Sequence, residues 1–263
     1  MNAVKSLWVI LMLVVLSSCK KEEGLGSVEN ISGLGGDTWA PGTIDTWIFD
    51  NLTSPYNIAV KYKWDQSEIE LDKTVVPVKE EQVIPVMSAI KKAWLDVYEA
   101  EAGSLFVKKY TPKFFILEGS GSYNQDGTTT LGTAEGGRKV VLYQLNYFTT
   151  KEMPGYLPSD STVIKEVFHV IHHEFGHILH QNVMYPLDYK RITVGLYTSN
   201  WNNVSDANAR RDGFITPYSM SGPDDDFVEM ISIMLTEGKA GFDRIVESVN
   251  GISPNGTTAE QAI

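Results

Sequence analysis

The chain has 263 residues, of which 43% are hydrophobic, enough to bury one substantial core and to make one globular domain the expectation. Lys and Arg total 22 against 33 Asp and Glu, for a formal net charge of -11. With no basic cluster outside the extreme N-terminus, there is nothing to neutralise a phosphate backbone, which excludes nucleic acid as a partner.

Residues 1–18 carry one positive charge, Lys5, then an apolar run from Leu7 to Leu16 and small residues, the anatomy of a secretory signal. The run is too short for an ordinary transmembrane helix. Cys19 is the only cysteine and has no internal disulfide partner. Leu16-Ser17-Ser18-Cys19 resembles a bacterial lipobox, which implies cleavage before Cys19 and its acylation, a permanent membrane anchor. Lys20-Lys21-Glu22-Glu23 is similar to the export signal of Bacteroidota surface lipoproteins, which implies the outer face of the outer membrane. Residues 19–43 then read as the lipidated cysteine and a Gly, Ser and Asn-rich tether, and residues 44–263 as the folded domain.

Within that domain, Tyr56 to Trp64 alternates as a strand does. Val83, Met87, Ile90, Trp94 and Val97 recur at helical spacing between Lys79 and Gly103, with Pro85 in the first turns. Strand-like runs follow at Lys113 to Glu118 and Arg138 to Tyr147, and a long helix fits Ser161 to Asn182. The Gly136 to Tyr147 segment is a candidate edge strand on which a peptide adds as an extra strand. Beyond Tyr185-Pro186 the pattern is irregular until Asp224, where acidic residues open an apolar helix face, Phe227, Met230, Ile231, Met234 and Leu235, ended by Gly238. Ser253 to Ile263 is polar and unpatterned. Strands followed by a long helix predict an α+β fold.

All five histidines lie between His169 and His180, and His173-Glu174-Phe175-Gly176-His177 stands among them. On a helix, positions i and i+4 share a face, so His173 and His177 can present two imidazoles to one zinc ion. Glu174 beside them suits a general base that takes a proton from a zinc-activated water. A zinc with an open fourth position needs a third protein ligand. His180 lies on the same face but about 10 Å beyond His173 at 1.5 Å per residue, which favours a groove or supporting position. His169 and His172 read as structural. A metzincin pattern is excluded, because its helix-breaking glycine falls on His180.

The alternative third ligand is a carboxylate from the following helix, as in the gluzincins. Asp225 and Glu229 have the spacing of a ligand and a carboxylate that orients a zinc histidine; the roles exchanged remain the competing assignment. Capping of that helix accounts for one of Asp224, Asp225 and Asp226 and leaves Glu229 unexplained. Tyr218, seven residues before Asp225, is a candidate donor to the oxyanion of a tetrahedral intermediate, with packing as the other reading.

His172 to Gln181, Phe214 to Met220 and Asp225 to Met230 resemble the zinc-binding metallopeptidase lipoproteins encoded beside SusC/SusD-type import systems, as do Trp47, Tyr56-Asn57-Ile58 and Trp64. The spacing of Tyr218, Asp225 and Glu229 is similar to that of lethal-factor-type toxin metallopeptidases, where the first acid is a glutamate. Both resemblances imply a zincin-like fold with a small mixed sheet and a helical C-terminal part, a Zn2+ cofactor and a peptide or protein substrate. The first implies a place beside a SusC/SusD-type importer. Its members usually continue with further C-terminal helices, so a shortened chain is expected. The rival readings are a non-catalytic zinc-containing accessory lipoprotein and a zinc hydrolase of non-peptide amides. A purely structural zinc site has no use for Glu174, and the groove separates the two hydrolases.

Overall fold

The structure is a computed structural model that describes residues 40–65, 68, 74–124, 129–130, 132–135 and 138–249. The chain divides into residues 1–40 and 41–263, and all the described helices and strands belong to the second part. The secretory segment, Cys19, the tether through residue 39 and the stretch from Ser253 to Ile263 lie outside the described residues.

Helix α1 (Thr43–Ile48) starts where Asp45 Oδ2 accepts from the Gly42 amide at 2.7 Å. It runs on through a wide turn to Tyr56 and stops at Asn57, whose φ of 56° ends the helical path. Tyr56 therefore belongs to a helix, and strand β1 is only Ala59–Lys61, shorter than the alternation from Tyr56 to Trp64 implies. Helices α2 (Glu80–Ile90) and α3 (Asp96–Ala102) are joined by a π turn, Lys91–Leu95. The extra residue of a π turn rotates the stripe that follows it. Val83, Met87, Ile90 and Trp94 are buried as their spacing predicts, but Val97 is 50% exposed, and Tyr98 takes the inward position. A short helix, α4 (Ser104–Tyr110), leads to the sheet.

Four strands form the main sheet in the order β1-β2-β6-β5: β2 (Phe114–Leu117), β5 (Gly132–Glu135) and β6 (Lys139–Leu142) join β1. β1, β2 and β6 are parallel, and β5 runs antiparallel to β6, so the sheet is mixed. This corrects the edge-strand expectation. β6 is internal, hydrogen-bonded on both sides, and β5 holds the edge. Apolar Val140, Val141 and Leu142 are all buried, as suits a strand covered on both faces. A two-stranded ribbon, β3 (Ser122–Tyr123) and β4 (Thr129–Thr130), stands apart from this sheet.

Helix α5 (Ser161–Asn182) has the predicted bounds. Its Val167, Ile171, Phe175 and Ile178 enter the main core, where Phe175 meets the edge of Trp94 at 5.3 Å between ring centroids. Gly132 lets β5 approach this helix: a Cβ there would lie 2.2 Å from Val170 Cγ1. Residues 183–222 form an irregular lobe with helix α6 (Asp206–Arg211) and a small core of Ala209, Phe214 and Met220. One buried carboxylate ties this lobe down, Asp226 Oδ2 accepting from Thr193 Oγ1 and Tyr197 OH, each at 3.1 Å.

Helix α7 (Pro223–Glu247) crosses α5 closely, Gly176 lying against Val228. Gly238, expected to end this helix, instead kinks it: at φ 67° and ψ 172° it leaves the helical path, and the residues after it resume helix. Among the described residues no helix is long and apolar enough to cross a membrane.

Candidate metal centre

Where α5 crosses the start of α7, the two helices line one side of a cavity of about 770 Å³. His173, Glu174 and His177 line it from α5, Glu229 from α7, and Tyr218 and Trp201 from the irregular lobe. Gly132 and Thr133 of β5 form another part of the wall.

His173 Nε2 and His177 Nε2 lie 3.2 Å apart, as the helical repeat of four residues dictates. Asp225 sits in the first turn of α7, where Ser221 Oγ donates to its Oδ2 at 2.7 Å. Its Oδ1 lies 3.3 Å from His177 Nε2 and 3.9 Å from His173 Nε2. A tetrahedral zinc with bonds of about 2.0–2.1 Å holds its donors about 3.3 Å apart, so the three atoms form a triangle of the right size.

The protons agree with that use. Glu229, 3% exposed, accepts from His173 Nδ1 at 2.9 Å through Oε2, and from Thr216 Oγ1 at 2.9 Å through Oε1. Burial alone would raise its carboxyl, but the hydrogen bonds from His169 and His173 hold it far below the usual carboxylate range. An ionised acceptor holds a proton on His173 Nδ1, which makes Nε2 the nitrogen available to a metal. His180 Nε2, 3.0 Å from His177 Nδ1, does the same for the second ring when it accepts. The structure thus places His180 behind His177 and away from the triangle. Burial pushes the Asp225 carboxyl up, yet the bonds with His177 and Ser221 and the neighbouring imidazoles bring it below its ordinary value.

Asp224 and Asp226, its neighbours, point elsewhere. Asp224 accepts from Tyr185 OH and from Lys190 Nζ, and Asp226 holds the lobe. Glu174 reaches the cavity, where burial raises its carboxyl against the pull of His173 and His177. Tyr218 has its ring centroid 5.5 Å from that of His173, and burial with the charges of Asp225, Glu174 and Glu229 pushes its phenol up to about 12. It is therefore a donor at neutral pH.

His169 corrects the sequence reading. It is not simply structural: its Nε2 lies 3.1 Å from Glu229 Oε2, its Nδ1 lies 3.2 Å from Ser232 Oγ, and it lines the cavity. Its position four residues before His173 was the available signal. Trp201, edge-on to Tyr218 at 4.9 Å, carried no signal, because it comes from a segment without periodicity. His172 stays on another face, neutral to about pH 4 because of burial and the nearby His169.

Residues 37–263 match the family described as "Putative zinc-binding metallo-peptidase". The chain belongs to this family. A crystal structure described as that of "a putative zinc-binding metallo-peptidase from Bacteroides caccae" is similar, with 35% identity and a TM-score of 0.63 over 81% of this chain and 78% of the other. No curated protein matches the chain. Zinc is the cofactor that the family and this donor set share: two imidazoles and one carboxylate close enough to hold a single ion.

Proposed function

We propose that this protein is a zinc-dependent endopeptidase that uses His173, His177 and Asp225 as metal ligands and Glu174 as general base. The observation that carries the reading is the donor triangle at the wall of the cavity that Glu174 also lines. Zinc, when bound there, polarises a carbonyl and lowers the pKa of a water toward about 7. Glu174 takes the proton from the attacking water and passes it to the leaving amine, a role helped by a carboxyl raised toward neutrality. Tyr218 donates from its phenol to the oxyanion, and Glu229 orients His173.

The substrate side follows from the sheet. β5 is an edge strand whose Gly132 and Thr133 line the cavity, so an extended peptide can pair with it across the zinc ligands. No Lys or Arg lines the cavity among the described residues, and a terminal carboxylate finds no counter-charge there. Trimming from a C-terminus is therefore the poorer fit. The N-terminal motifs support display as an outer-membrane lipoprotein through Cys19, facing the exterior, and the resemblance of residues 172–181, 214–220 and 225–230 supports work beside a SusC/SusD-type importer.

Incubating the zinc-loaded protein with an unfolded protein substrate and mapping the fragments by mass spectrometry tests this. Internal cuts that vanish in Glu174→Gln are expected. Release of single terminal residues would sink the endopeptidase reading, and activity confined to amidated glycans the peptidase reading as a whole. Labelling of intact cells, with and without Cys19→Ala, tests the display.

A further inference from the structure

Ser221 ends a single helical turn, Tyr218–Ser221, and Gly222, in extended backbone, leads from it into α7. Two backbone bonds fix this turn: the Met220 amide donates to the Pro217 carbonyl at 3.0 Å, and the Thr198 amide donates to the Met220 carbonyl at 2.9 Å. Three side chains from here meet the metal centre. Thr216 Oγ1, just before the turn, donates to Glu229 Oε1, Tyr218 packs against the His173 ring, and Ser221 Oγ donates to Asp225 Oδ2 at 2.7 Å.

The last of these contacts bears on how Asp225 can bind a metal. A carboxylate binds through one oxygen or through both. Asp225 is the third residue of α7, a position from which an acidic side chain ordinarily turns back to the amide that opens the helix. Here its carboxylate takes its local hydrogen bond from the Ser221 hydroxyl instead, four residues earlier and held in place by the turn. Oδ1 is the oxygen that meets both imidazoles, 3.3 Å from His177 Nε2 and 3.9 Å from His173 Nε2. The two oxygens are thus divided, Oδ2 facing the protein and Oδ1 the donor triangle. To chelate, Oδ2 would have to weaken or give up a charge-assisted hydrogen bond, one of the stronger kinds.

We propose that Ser221 is a positioning residue that limits Asp225 to one metal-binding oxygen and so keeps a coordination position open for the attacking water. The inference rests on Asp225 as a zinc ligand. One donor each from His173, His177 and Asp225 leaves the fourth position of a tetrahedral ion free, as water activation requires. A chelating Asp225 supplies a fourth donor and fills it. The protein then holds its metal at least as firmly, while the water on which Glu174 acts loses its place. This consequence is opposite to that of ordinary support, since a residue that merely steadies a ligand costs metal affinity when it is removed, about 10–100-fold.

The test compares the zinc-loaded wild type with Ser221→Ala, which removes the hydroxyl, and Ser221→Thr, which retains one. Crystal structures read how many Asp225 oxygens meet the ion, chelator competition reads zinc affinity, and cleavage of an unfolded protein substrate reads turnover. One oxygen is expected in the wild type and in Ser221→Thr, and two in Ser221→Ala. Zinc affinity in Ser221→Ala is expected to equal or exceed that of the wild type, with turnover about 10–100-fold lower. Two Asp225 oxygens on the ion in the wild type, a single one in Ser221→Ala, a zinc affinity that falls in Ser221→Ala, or turnover that survives chelation would each overturn the proposal while leaving Asp225 a ligand. An ion that Asp225 does not touch in the wild type would sink the ligand assignment and this inference with it. Absence of cleavage by the wild type would count against the peptidase reading, and the oxygen count and zinc affinity would still decide whether Ser221 restrains Asp225.

Discussion

Glu229 Oε2 accepts from His173 Nδ1 at 2.9 Å and lies 3.1 Å from His169 Nε2, so one buried carboxylate orients the ring proposed to bind zinc and is itself held from the other side. Glu229→Gln keeps the shape but loses the ionised acceptor. Zinc affinity is expected to fall about 10–100-fold, the usual cost of losing such a partner, with the fold intact. Chelator competition measures it; an unchanged affinity would mean that Glu229 does not orient the ligand.

Asp225 completes the donor triangle only through Oδ1. Asp225→Ala removes that donor and leaves two imidazoles, and the purified variant is expected to carry far less than one zinc per chain by elemental analysis. Full occupancy in that variant would hand the third position to another group.

Glu174 lines the cavity but stands outside the triangle. Glu174→Gln is therefore expected to keep its zinc and lose about 10²–10⁴-fold in turnover, the range for a general acid–base group. Loss of zinc along with activity would make Glu174 a ligand instead.

Burial raises the Glu118 carboxyl from 4.5 to about 7. Between those values the folded chain holds a proton that the unfolded chain has released, so stability falls as pH rises through this window. Its contribution is on the order of 1–3 kcal/mol at most. Glu118→Gln is expected to flatten the dependence of stability on pH between 5 and 7 in urea titrations. Asp226, also raised to about 7 by burial, keeps a residual slope. A slope as steep as that of the wild type would show that Glu118 does not titrate there.

Gly176 sets how closely α5 and α7 cross. A Cβ there would lie 2.9 Å from Val228 Cγ1 and 3.0 Å from Val228 Cβ. Gly176→Ala is expected to destabilise the protein by about 1–3 kcal/mol through overpacking and to weaken zinc binding, because the helices that carry the donors are pushed apart. Calorimetry and zinc titration check the two effects together. An unchanged Tm would mean that the crossing relaxes at no cost.

Much of this was legible in order along the chain. The bounds of α5 follow from an uninterrupted apolar stripe, and the convergence of His173 and His177 follows from the helical repeat alone, whatever surrounds the helix. Asp225 and Glu229 were recognisable as a spaced pair on one helix face for the same reason. Local periodicity also placed β2, although it overran β1, where Tyr56 closes a helix. What the pattern could not tell was which strand has an unpaired side: Val140 to Leu142 and Gly132 to Glu135 differ in their neighbours, and neighbours are set by long-range hydrogen bonding. Nor could it assign His169, because a histidine's role depends on what each ring nitrogen meets. For His169 that partner is Glu229, far along the chain, brought to it only by the crossing of α5 and α7 that Gly176 permits. Periodicity within a helix is fixed by backbone geometry, so the sequence by itself determined that His173 and His177 converge. Which carboxylates stand beside that pair and which strand edge is open depend on how separate elements pack, and only the tertiary structure decided them.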